Sequence, residues 1–218
     1  KTNSRKYNPA NIKYKTNDKI SNNYDVLNVK NDFLNKKVLV IGPGNSIKNF
    51  KDKIIKFIVK NELLVVAVNL NKNIGEKYIN YRIACHPKRI LSDYIYYNKF
   101  KKKLILPIDS ISKEIKNKIL NKNNVLNYPL NICKNNNIVF SNKGCSMPYP
   151  LVIAYTICLL LSSNAKKIYL AGFDGFTKDS PFNDETQEII KLLKNKSGKN
   201  FVTSITPTKY NITYSGRY

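Results

Sequence analysis

The side chains best suited to chemistry in this sequence stand just after runs of apolar residues. Gly42-Pro43-Gly44-Asn45-Ser46 follows the unbroken run Val38–Ile41 and precedes an amphipathic stretch, Ile47–Val59. Glycines there permit unusual φ values and close approach of a ligand to the backbone. Ser46 is placed to cap the following helix, which would turn N–H groups and the positive end of its dipole toward an anion. The turn reads as a nucleotide or phosphate cradle, or else as an ordinary glycine-containing strand-to-helix turn. It lacks the full G-x-G-x-x-G spacing and the Gly-Lys-Ser/Thr ending of a P-loop. Asn69 ends Leu63–Val68, where its amide can donate and accept at once to a base or ribose, or simply form a turn. His86, the only histidine, precedes Pro87; it could be a general acid or base, a ligand contact or a hydrogen-bonded structural residue. Asp174, between Phe173 and Gly175, could orient a sugar hydroxyl, act as a base or cap a turn. Cys145, ahead of a helix, could have a lowered pKa, but as a nucleophile it would need a base beside it.

These residues need a scaffold, and the hydrophobic pattern supplies one. Strands are expected over Lys37–Ile41, Leu63–Val68, Tyr81–Cys85, Lys103–Leu106, Lys167–Ala171 and Phe201–Ser204. Helices are expected over Ser46–Lys60, Lys88–Phe100 (or an irregular turn), Ile111–Leu120 with Ser110 as a cap, the apolar stretch Leu151–Ser162, and Asp184–Lys194. Residues 121–143 show only short apolar pieces, Val125–Leu126 and Ile138–Phe140, before a small-residue turn, Gly144-Cys145-Ser146. Alternation of buried strands with helices predicts an α/β fold, a Rossmann-like, mostly parallel, doubly wound sheet in one domain over residues 37–218. Residues 1–36, rich in Lys, Asn and Tyr, read as a linker or arm, with a short element within 22–34 packing on the domain. In such sheets ligands bind beyond the carboxyl ends of strands at a switch point. That rule gathers Gly42, Gly44, Asn45, Ser46, Asn69, His86, Gly172 and Asp174 into one site. The N–H groups of Gly144, Cys145 and Ser146 could join them.

Composition narrows the partners. The chain has 218 residues, 42% of them apolar, enough for one sizeable core. Its most apolar run, Leu151–Leu161, is too short to span a bilayer and fits a buried helix. The net charge of +24 suits anionic partners, including an anionic membrane surface. The lysines are scattered among asparagines and no nucleic-acid-binding signature accompanies them, so nucleic acid is set aside. Cys85, Cys133, Cys145 and Cys158 form no C-x-x-C pair, and with one histidine neither a zinc site nor a disulfide framework is expected. Reduced thiols, no secretory signal and no spanning segment point to a cytoplasmic protein, with the inner face of the membrane open to it. The sequence opens on Lys1, as expected of a domain cut from a longer chain.

Four stretches taken together resemble a known group: Val40-Ile-Gly-Pro-Gly-Asn-Ser46, Val68-Asn69, Ile83-Ala-Cys-His-Pro87 and Lys166-Lys-Ile-Tyr-Leu-Ala-Gly-Phe-Asp174. They look like the bacterial sialyltransferases that use CMP-N-acetylneuraminic acid, in order and spacing, over roughly residues 37–182. The tail, Ser204-Ile-Thr-Pro-Thr-Lys-Tyr210, is similar to the end of a domain that follows aldolase-like domains in proteins of bacterial surface-polysaccharide loci. The resemblance implies a CMP-sugar as donor, with no other cofactor, and an anionic saccharide acceptor. It gives Gly44, Ser46 and Asn69 to the CMP side, sets His86 where the family has a nucleotide-contacting Asn, and matches Asp174 to the family's strand-end Asp. The Gly144–Ser146 turn lies near the family's Thr-Ser-Gly turn. Phe176 and Phe182 stand where the family has two tyrosines that assist the leaving phosphate, and no histidine follows His86 where the family has its catalytic one. His86 is then the candidate base by elimination and Asp174 the second, with Tyr149 and Tyr210 as the nearest spare hydroxyls. Two rivals remain: a non-catalytic nucleotide- or sugar-binding module, and a phosphoryl-transfer enzyme such as the pterin diphosphokinase-like group, which would need Mg²⁺ ligands from Asp174, Asp179, Asp184 and Glu185.

Overall fold

In a computed structural model, residues 29–119, 124–177, 179–198, 202–216 and 218 are described. The expected strands form, most of them with apolar residues on both faces; the one expected over Tyr81–Cys85 ends at Ile83, and of Phe201–Ser204 the structure shows Thr203–Ser204, Phe201 lying outside the described residues. Strand β1 (Lys37–Ile41) turns Val38 and Val40 to one face and Leu39 and Ile41 to the other, all four fully buried. Strands β2 (Leu64–Val68), β3 (Tyr81–Ile83), β4 (Lys103–Leu106) and β5 (Val125–Asn127) follow on one side of it, and β9 (Lys167–Ala171), β10 (Thr203–Ser204) and β11 (Thr213–Tyr214) on the other. The order is β11-β10-β9-β1-β2-β3-β4-β5, and every pairing is parallel.

Helices cover both faces. Helix α3 (Lys51–Lys60) packs Ile54, Phe57 and Ile58 on Leu39, Ile41 and Val65. On the same face α4 (Pro87–Tyr97) and α5 (Lys113–Ile119) cover Leu104 and Leu106. The other face takes α1 (Val29–Phe33), α6 (Val152–Ser162) and α7 (Pro181–Ser197). Chain crossovers on opposite faces must run in opposite directions along the sheet, which makes it doubly wound and puts the switch point between β1 and β9. A second, three-stranded sheet, β6 (Leu130–Ile132), β8 (Gly144–Met147) and β7 (Val139–Ser141) in the order β6-β8-β7, contributes Leu130, Cys145 and Met147 to the core that α6 occupies. Eight consecutive residues of α6, Ile153–Leu160, are buried, as a helix without a polar face requires. No helix among the described residues is long and apolar enough to cross a membrane.

Several local expectations are corrected. The helix expected over Ser46–Lys60 breaks at Phe50 (φ −115°, ψ 14°) into α2 (Ser46–Asn49) and α3. Ser110 does not cap α5; its hydroxyl donates to the Leu130 carbonyl at 2.6 Å, and Ser112 Oγ accepts from the Ile115 N–H instead. Gly144-Cys145-Ser146 is strand, not a turn before a helix. Gly144 lies so close to Pro129 that a Cβ there would sit 2.7 Å from the Pro129 carbonyl, and the Cys145 N–H donates to that same oxygen at 2.9 Å. The packing element expected within 22–34 is α1, whose Phe33 is fully buried against Tyr81; residues 1–28 of the expected arm lie outside the described residues.

Candidate functional site

The loops that leave β1 and β9 fold onto each other. The Gly42 N–H donates to the Ala171 carbonyl and the Gly44 N–H to the Gly172 carbonyl, both at 2.8 Å. A Cβ on Gly42 would lie 2.4 Å from the Gly172 oxygen, and one on Gly44 2.5 Å from Asp174 Oδ1. The absence of side chains at these two positions is therefore required by loop-on-loop packing, whatever binds outside. Gly172 has φ +72° and presses on Ile47, and its N–H donates to Thr206 Oγ1 at 2.9 Å.

Asp174 closes this junction. Its Oδ2 accepts the Ser46 N–H at 2.9 Å and its Oδ1 accepts the Ser46 hydroxyl. The expectation that Ser46 caps a long helix is thus corrected. Asn45 holds the cap position with helical backbone and makes no side-chain cap bond, and Ser46 reaches across to the β9 loop. The carboxylate already neutralises the start of α2, which is only four residues long. An anion seated on the Ser46 N–H would have to displace Asp174 and its charge.

Asn69 leaves β2 in the left-handed region, φ 52°, a conformation Asn tolerates better than other non-glycine residues. Its N–H donates to the Ile83 carbonyl at 2.9 Å and its carbonyl accepts from Arg82 Nη1 at 2.8 Å. Arg82 is a buried guanidinium in the middle of β3. It also donates to the Asn71 carbonyl at 3.1 Å and to Glu76. Asn71 in turn donates through Nδ2 to the Gly42 carbonyl. Arg82 and Asn71 so join the exits of β1, β2 and β3 into one hydrogen-bonded frame.

Two adjoining clefts open above this frame. One, about 250 Å³, is lined by Gly44, Asn69, Gly172, Asp174, Phe176 and Tyr210, with Val68, Leu151–Ile153, Phe173 and Thr186 among the other walls. The second, about 470 Å³, is lined by Asn69, His86, Lys88, Arg89, Ser92 and Pro150–Val152. Asn69, Leu151 and Val152 belong to both. The structure thus brings Gly44, Asn69, His86, Gly172 and Asp174 to one end of the sheet. Gly42 and Ser46 support the walls from behind, and Asn45 is exposed beside them. Gly144, Cys145 and Ser146 line neither cleft, being paired in the second sheet.

The electrostatics divide the two clefts. His86 begins α4 in extended backbone, with Pro87 in the first turn. Burial lowers its pKa, and the charges of Lys88 and Arg89 lower it further. At neutral pH the ring is therefore uncharged and able to accept a proton. In the smaller cleft Tyr210 is pushed the other way, upward, by burial and by the Asp174 charge, although its bond with Thr186 opposes this; it remains a hydroxyl donor. Tyr149, the other candidate hydroxyl, lines neither cleft; its pKa is raised by burial and by Glu188 and Glu185. Phe176, in the wall of the smaller cleft, and Phe182 are exposed and tilted against each other, centroids 5.7 Å apart. Cys145 is no nucleophile: burial and its contacts with Cys158 and Cys85 raise its pKa well above that of a free thiol, the reverse of the expected lowering. Among the described residues no group of three or more His, Cys, Asp and Glu side chains is placed to hold a metal ion.

Sequence reasoning missed Arg82, Asn71, Lys88, Arg89 and Ser92. One signal was available. An arginine inside an apolar strand must find buried acceptors, and the nearest are the carbonyls at strand ends.

Fold and clefts together define an α/β protein of the doubly wound, Rossmann-like class, with one cleft at the switch point of its sheet and a second adjoining it over the ends of β2 and β3. Comparison with protein-family models found no match, and comparison with curated proteins found none either.

Proposed function

We propose that this chain is a glycosyltransferase-like domain that takes a CMP-activated acidic sugar as donor in bacterial surface-polysaccharide synthesis. The observation that carries the reading is the joined pair of clefts, one at the switch point and bounded by Asp174 and Tyr210, the other cationic and lying over the ends of β2 and β3, meeting at Asn69. The nucleoside lies against Gly44, Asn69 and Gly172. Lys88 and Arg89 hold the anionic phosphate and sugar carboxylate. An acceptor hydroxyl oxygen forms the new bond to the anomeric carbon while the bond to the CMP phosphate breaks and its electron pair leaves with CMP. The hydroxyl proton goes to His86, which is uncharged and lies beside the cations that stabilise the departing phosphate. Such a domain works in the cytoplasm, on an anionic saccharide acceptor, and fits in a longer chain beside an aldolase-like domain.

The second reading is a binding module without catalysis. It is favoured by the engagement of both Asp174 oxygens with Ser46 and by phenylalanines at 176 and 182 in place of hydroxyl-bearing rings. Calorimetric titration with CMP, UMP, GMP and ATP, with and without Mg²⁺, tests both. The transferase reading expects selective, metal-independent CMP binding that weakens at least about tenfold in Lys88→Gln/Arg89→Gln, followed by donor hydrolysis lost in His86→Ala. CMP binding without hydrolysis supports the module. ATP preferred with Mg²⁺ overturns both in favour of phosphoryl transfer.

A further inference from the structure

Helix α4 presents an outward face unlike that of the other helices on its side of the sheet. Leu91, Ile95 and Tyr96 are 41%, 52% and 50% exposed. At 100° per residue they share one face with Lys88 and Ser92, and Lys99 continues it past the helix end. The only acid of α4, Asp93, is buried and lies 3.8 Å from Arg89, so the exposed surface of the helix carries no negative charge. Beside Tyr96 a groove of about 380 Å³ opens, with Lys72, Lys99, Lys101 and Lys102 around it and Leu70 and Phe100 in its walls; its one carboxylate, Glu76, is paired with Arg82. Lys72 Nζ stands 4.7 Å from the Tyr96 ring centroid.

Single exposed apolar residues need no explanation, but three large ones on one helix face, ringed by cations, do. The combination suits a surface of anionic headgroups over hydrocarbon. Cations near such a surface each gain favourable energy, and aliphatic side chains gain by leaving water for the acyl boundary. Nucleic acid would use the cations equally well but offers nothing to Leu91 and Ile95. We propose that α4 docks on an anionic lipid bilayer, setting Leu91, Ile95 and Tyr96 among the headgroups while the surrounding lysines pair with lipid phosphates. Lys88, Arg89 and Ser92 also rim the larger cleft, so docking sets the mouth of that cleft at the headgroup layer. The inference stands on α4 and does not depend on what the clefts bind.

The test is sedimentation of the 218-residue chain with vesicles of phosphatidylcholine alone, or of phosphatidylcholine and phosphatidylglycerol at roughly 3:1, in about 0.1 M salt. Binding is expected to the anionic vesicles only. Leu91→Ser/Ile95→Ser is expected to weaken it at least about tenfold. Lys99→Gln/Lys101→Gln should weaken it by a further factor of about five per charge removed. Lys143→Gln/Lys166→Gln removes the same charge from the β7–β8 hairpin and from the start of β9, and should change binding less than about twofold. All these positions are exposed, so the melting temperature should be unmoved. No binding, equal binding to neutral vesicles, an unaffected Leu91→Ser/Ile95→Ser variant, or equal loss in the control pair would each overturn the proposal. So would an RNA of about 20 nucleotides whose own binding requires Leu91 and Ile95, which would assign the face to nucleic acid.

Discussion

At the scale of single residues, the loop junction makes sharp demands. Gly44→Ala would drive a methyl group to 2.6 Å from both Asp174 Cγ and the Gly172 oxygen, so a loss of about 1–3 kcal/mol in denaturant-measured stability is expected. Asp174→Ala removes both partners of Ser46 and should cost about 1–3 kcal/mol by the same measurement, with Asp174→Asn intermediate because one amide oxygen still accepts. Arg82→Met removes the donor to the half-buried Asn69 carbonyl and the buried Asn71 carbonyl; a loss of about 1–3 kcal/mol is expected by the same measurement. The sequence made the residue types at the strand ends legible, because a buried apolar run that stops at a polar residue marks where the sheet meets solvent. It could not show that Asp174 is spent on Ser46, since the pair is 128 positions apart and only the β1–β9 pairing brings it together. For the same reason the glycines of the first turn carried two readings, and the structure supplies the packing reason for each of them.

At the scale of elements, helix α6 and the start of α4 give contrasting predictions. Ile157, fully buried in α6 between the main sheet and the second one, is expected to lose about 2–5 kcal/mol on replacement by Ala, read from denaturant midpoints. His86, at the start of α4, gives a pH signature. Its folded pKa lies below its ordinary value of 6.5, so the unfolded chain takes up the proton first. Its contribution to stability is therefore complete above 6.5 and falls as the pH drops from there through the folded pKa. Melting of His86→Asn should decline less between about pH 7 and about pH 5 than that of the parent chain. Strands β4 and β9 were legible to the residue, because continuous apolar runs opened by lysines and closed by Pro107 or Gly172 admit little else. Strands β5 to β8 were not. They are three or four residues each, in a stretch dominated by asparagine, and too short for a periodicity to repeat. Strand β8 was missed for a further reason: Gly144 and Ser146 read as turn formers, and it is the contact with Pro129 together with a φ of +136° that makes a glycine necessary inside this strand.

At the scale of the whole molecule, the alternation of strands and helices was enough to specify a parallel doubly wound sheet, since few other arrangements bury continuous apolar strands on both faces. The position of the switch point was not, because it depends on which face each crossover takes, and that is set by packing over long sequence separations. The central strands β1, β2 and β9 carry the longest ladders, while the sheet ends in β5, three residues long, and β11, two residues long. Each margin therefore offers only a few unpaired backbone groups on which a neighbouring chain could grow a strand. With a net charge of +24 holding like molecules apart, the protein is built to stay dispersed when concentrated. It should gather only where a polyanion cancels that charge, and then by neutralisation and not by strand-to-strand growth.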